Sequence, residues 1–65
     1  MYEELQVVKA VKKLSDKVVS GCIGTILYVY SGERSGYEVE FVNDNHETLD
    51  ILTVGEMDIE IVKIM

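Results

Sequence analysis

Apolar and polar residues alternate along most of this chain, with the two-residue period of a β-strand that buries one face. The clearest case is residues 36–42, GYEVEFV, where Tyr37, Val39 and Phe41 alternate with Glu38 and Glu40. Residues 4–11 (ELQVVKAV) also alternate. Leu5, Val7 and Val11 fall on one face and Val8 and Ala10 on the other, so this first strand does not declare its inner side. Residues 22–30 (CIGTILYVY) are β-branched and aromatic and make a second strand. Gly24 inside it points to a bend or a close backbone approach. Residues 47–53 (ETLDILT) make a fourth strand and 59–64 (IEIVKI) a short last one, with one helical turn at 54–58 (VGEMD) before it. Residues 12–21 (KKLSDKVVSG) read as a long loop whose Leu14, Val18 and Val19 tuck into the core. The glycine-bracketed SGERSG and the polar NDNH are turns.

No segment carries a sustained 3.6-residue apolar period, so the expectation is an all-β chain, a single domain over residues 1–65. Five short strands with tight turns fit a small barrel, because closure removes exposed strand edges. A chain of this length buries only about 60% of the surface it exposes when unfolded, so its margin of stability is small.

Burial selects the form of the NDNH turn. A symmetric two- or four-residue loop would pair Val39 with Asp50 and put a carboxylate on the core face. A three-residue loop of Asp44, Asn45 and His46 instead pairs Phe41 with Leu49 and Val39 with Ile51, leaving Glu38, Glu40, Thr48 and Asp50 together outside. That loop needs a left-handed residue at its last position, His46, and histidine accepts positive φ better than most side chains.

Charge adds a second pattern. The formal net charge is −6, and residues 35–62 hold eight acids and no lysine or arginine. Such a surface repels phosphate backbones and attracts basic proteins. The candidate partner-binding residues are Glu38, Glu40 and Asp50 on one face, Asp44 and Glu47 at the hairpin end, and the aromatic anchors Tyr28 and Tyr30, with Tyr37 as a further candidate. The plain alternative is a solvated face that serves solubility. Lys9, Lys12, Lys13 and Lys17 raise the alternative of an RNA- or ribosome-associated barrel, which the acidic balance opposes. Apolar residues on both faces of the first and last strands, Val8, Val62 and Ile64, raise that of a homo-oligomer or assembly module.

Catalytic chemistry is not legible. Cys22 is the only cysteine and His46 the only histidine. They read as a core thiol and a turn residue rather than a nucleophile and its base. One cysteine excludes an intrachain disulfide and a thiolate zinc cluster. The spacing of Asp44, His46 and Glu47 is explained by turn formation without a metal. GCIG is a lone G-x-x-G and reads as backbone geometry. No run approaches the length of a membrane span, and MYEELQ lacks the basic start and apolar run of a signal peptide. The expectation is a cytoplasmic, non-enzymatic protein without cofactor or metal.

The run from Ser20 to Val54 resembles a small bacterial family known as domain of unknown function 4926. The residues that carry the likeness are Gly21, Gly24, Thr25 and Ile26, then Tyr37 to Phe41 (YEVEF), then Glu47 and Thr48. The chain departs from the family at His46, where glycine is usual, and at Asp50, where a small apolar residue is usual. The resemblance implies an SH3-like five-stranded barrel and no assigned chemistry. Proteins of this kind are similar to the small acidic partners of bacterial toxins, antitoxins or immunity proteins, so the expected partner is a basic, nuclease-type toxin encoded nearby.

Overall fold

The computed structural model describes residues 2–32 and 35–63, so Ile64 lies outside the described residues. Strands β1 (Val7–Ala10), β2 (Ile23–Tyr30), β3 (Gly36–Val42), β4 (Thr48–Val54) and β5 (Ile59–Ile61) form one antiparallel sheet in the order β4-β3-β2-β1-β5. A 3-10 turn, Glu56–Asp58, leads into β5. A three-strand meander extended by the first and last strands, with that turn between β4 and β5, is the SH3-like arrangement. β4 and β5 are the free ends of the sheet, so the barrel is partly open.

The inner face of every strand feeds one core: Val8 and Ala10, Ile26, the β3 trio of Tyr37, Val39 and Phe41, then Val54 and Ile59. Residues from the two ends of the sheet meet only because the sheet curls strongly. β1 therefore turns Val8 and Ala10 inward, and Val8 is fully buried rather than exposed. Val62 is half-buried. Tyr37 is likewise a core residue and not a surface anchor. Its ring packs 5.4 Å from that of Tyr2, its hydroxyl accepts the Tyr2 amide at 3.1 Å and donates to Glu56 at 2.9 Å. The Tyr2 amide favours the phenolate, but burial and the Glu56 carboxylate outweigh it and raise the Tyr37 pKa.

The loop between β1 and β2 contributes Val18, which is buried and accepts the Leu14 amide at 2.8 Å while its own amide donates to Ser15 Oγ at 3.1 Å. Leu14 packs against the core, but Val19 is exposed, contrary to expectation. Two successive residues of an extended segment point oppositely, and Val18 takes the inner place. Gly24 faces inward on β2, opposite Phe41 of β3. A Cβ there would lie 2.6 Å from Val39 Cγ1 and 2.9 Å from Phe41 Cδ1, so only glycine fits.

Two β-bulges set which residues face out. In β2 the register shifts between Ile26 and Tyr28, making Leu27 the extra residue. Ile26 thus points inward while Tyr28 and Tyr30, of the same parity, point outward. At the other hairpin the loop is the expected one. The Asn43 amide donates to Glu47 O at 2.9 Å, the His46 amide donates to Asn43 O at 2.9 Å, and His46 has φ 64°. Val42 then faces Thr48, but Leu49 bulges out, and beyond it Phe41 faces Asp50 and Val39 faces Leu52. The pairs Phe41–Leu49 and Val39–Ile51 do not form. The burial argument assumed an unbroken ladder, and one extra residue moves the remainder of β4 by one position.

The 3-10 turn is tied at its start by the Asp58 carboxylate, which accepts the Gly55 amide at 2.9 Å and pairs with Lys12 at 3.0 Å. The Gly55 amide first and Lys12 second hold the Asp58 carboxyl below the usual carboxylate value. A pKa depressed on folding gives stability that is complete above the unfolded value and is lost as the pH falls through the folded one. Urea midpoints measured across the acid range should therefore fall on acidification, and more shallowly for Asp58→Asn. His46→Gly should lie between no change and about 1 kcal/mol of added stability, because glycine adopts positive φ without a steric cost. A clear loss in urea unfolding would contradict the loop geometry.

Candidate protein-docking face

Glu38 and Glu40 stand outward from β3, half-buried, as the alternation predicts. On β2 their cross-strand neighbours are Tyr28 and Thr25, and on β4 they are Thr53 and Ile51. Thr53 Oγ1 donates to Glu38 at 2.6 Å, and Thr48 Oγ1 donates to Glu40. These hydroxyls orient the carboxylates without neutralising them. Among the described residues no lysine or arginine pairs with either glutamate; the ion pairs are Lys9–Glu60, Lys12–Asp58 and Lys13–Asp16.

Beside the glutamates, Tyr28 and Tyr30 are 53% and 40% exposed, with ring centroids 4.9 Å apart in an edge-on arrangement. Tyr30 lies opposite Gly36, which has no side chain to cover it. Leu27, lifted by the bulge, and Ile51 are also exposed. The face therefore combines two oriented carboxylates with exposed apolar and aromatic surface.

The other predicted residues separate from this group. Asp44 is exposed at the tip of the β3–β4 hairpin. Glu47, at the same tip, accepts the Asn43 side-chain amide at 2.9 Å, while Asn43 Oδ1 accepts the Asn45 and Glu47 amides at 2.9 and 3.0 Å. Those two acids flank the face, and Glu47 also builds the turn.

Asp50 does not join Glu38 and Glu40. Opposite Phe41, it lies on the inner side of the sheet at its rim, half-buried. There it accepts Ser15 Oγ at 3.4 Å and the Ile51 amide at 3.0 Å. β4 is an end strand, so Asp50 both tethers the long loop and occupies a donor of the open edge.

Cys22 is half-buried against the core, and His46 is exposed at the hairpin tip. Among the described residues no group of three or more histidine, cysteine, aspartate or glutamate side chains converges as a metal site would require. No helix among them is long and apolar enough to cross a membrane.

The residues that sequence reasoning missed are Thr48 and Thr53 as carboxylate holders and Leu27 as surface. The threonines were within reach of a correct register; the bulge at Leu27 has no local sequence mark. Asp50→Ala should cost about 1–2 kcal/mol through loss of two partly exposed hydrogen bonds. Thermal unfolding of the variant against the wild type checks it.

Comparison with curated proteins and with solved structures gives no match. A family model, "Domain of unknown function (DUF4926)", matches residues 4–61 of the 65-residue chain. With YEVEF forming β3, Gly24 at the close approach and the turn before Glu47 as described, the chain belongs to that family.

Proposed function

We propose that this protein is a non-enzymatic docking module that binds a basic protein through the outer face of β2, β3 and β4. In its finer form the partner is a nuclease-type bacterial toxin, the chain is its cytoplasmic immunity protein or antitoxin, and neutralisation works by occlusion. The observation that carries the reading is the placing of Glu38 and Glu40, oriented by threonines and paired to no cation among the described residues, beside the exposed Tyr28–Tyr30 pair. Carboxylates so held would meet the lysines and arginines that a nuclease turns toward phosphate. Their field would speed encounter, and the tyrosines would supply anchors.

The RNA-associated alternative draws less support, since Lys9, Lys12 and Lys13 are each engaged by an acid. The assembly alternative loses the exposed Val8 on which it partly stood.

The test is capture from the native host with the wild-type chain and with the double variant Glu38→Lys, Glu40→Lys. The wild type should retain a basic protein encoded nearby and protect cells against it. The variant should associate at least about tenfold more slowly at low salt, with a flatter dependence on ionic strength. Equal capture and equal protection by both chains would reject the docking face.

A further inference from the structure

β2 is twice partnered only in its first half. The β1 ladder ends at Val7 opposite Thr25, and the last bonds from that side join Ile26 to Gln6 and Leu5. There the chain turns away, with the Gln6 amide bonding back to Glu3 O at 3.3 Å. From residue 27 to 30, β2 pairs with β3 alone among the described residues. The hydrogen-bond phase says which groups are left over. Asp50 takes the Ile51 amide, so the Ile51–Glu40 pair is not bonded and Glu40 turns its main-chain groups to β2. Glu38, two residues on, does the same toward Tyr28, and Val29 beside it directs its N–H and C=O to the open side.

An open edge is ordinarily blunted by charge, proline or a covering loop. Residues 27–30 have neither charge nor proline: they are Leu, Tyr, Val and Tyr, all but Val29 are exposed, and among the described residues no further strand pairs with them on that side. At the end of this edge stands Leu5, 77% exposed with φ 70°. A leucine in that conformation is strained, and its exposure returns no packing for the strain. Glycine would adopt this conformation at lower cost, so the edge ends in a large exposed apolar group held in a strained backbone.

We propose that this edge accepts an extended segment of the basic partner as an added strand. Its main chain pairs with Val29, its inward apolar residues extend the core side of the sheet beside Val29, and its outward cationic residues lie over Leu27, Tyr28 and Tyr30 toward Glu38. The assignment rests on the docking reading above and gives it a mode, β-strand addition. Charge selects the occupant. A second copy would bring another chain of net charge −6 against Glu38, whereas lysine or arginine stacks on tyrosine and meets the carboxylate.

The probes are two synthetic peptides of equal charge and length, alternating arginine with valine and arginine with proline, added to the full-length chain labelled with nitrogen-15. Proline removes the amide donors that a ladder needs. The arginine–valine peptide should slow exchange of the Val29 amide at least about tenfold, shift the Leu5 and Leu27 signals, and bind at least about tenfold more tightly than its proline counterpart. Leu5→Gly should leave the fold as stable or more so and weaken that peptide several-fold. Equal binding of both peptides, with Val29 exchange unchanged, would overturn strand addition and leave the acidic face standing. No binding of either at low salt would overturn both. Val29 protection that rises with protein concentration alone, with dimer in sedimentation, would assign the edge to a second copy and overturn the proposal.

Discussion

The fold depends on bringing Val54 and Ile59, from either side of the sheet's opening, into one core with Phe41 and Val39. A flat five-stranded sheet of this length would leave its end strands far apart and half its apolar residues wet. Curling requires that strands approach closely at the centre and that extra length be absorbed elsewhere. Gly24 allows the first, because its missing side chain admits the rings and methyls of β3. The bulges at Leu27 and Leu49 provide the second, each adding local twist where the sheet turns.

Those bulges also write the surface. Without the extra residue in β2, Tyr28 and Tyr30 would share the inward parity of Ile26. The bulge reverses that parity and puts both rings beside Glu38. In β4 the same device carries Asp50 inward, away from the glutamates, and turns a surface acid into a clasp for the loop at Ser15. Core and face are therefore coupled: the register that seals the barrel decides which chemistry is displayed.

Much of the fold was legible because period-2 alternation is a strong signal in β3, where Tyr37, Val39 and Phe41 admit one reading. The left-handed His46 was legible because a three-residue loop demands such a position. The pairing beyond the turn was not. Counting from the turn assumes one residue opposite one residue, and nothing in TLDIL announces that Leu49 steps out of line. The face was half legible: Glu38 and Glu40 follow from alternation in a single strand, whereas Asp50 and Tyr37 required knowing how strands sit against one another. Leu5 was invisible to pattern, since a turn with positive φ is read from glycine or asparagine and the chain has leucine there.

The pairing of β1 with β5, which sets Val8 opposite Ile61, has a kinetic meaning. The meander from β2 to β4 is built from neighbouring segments joined by short turns, and its loops close cheaply. The β1–β5 ladder joins the two extremes of the chain and must close nearly the whole polypeptide as one loop before it gains any contact. The meander can therefore assemble early while the β1–β5 ladder closes last. Until it does, the inner faces of Ile26 and Phe41 stay uncovered on the β5 side, and the interval before closure is when this small chain is most open to proteases and to association with other unfolded copies.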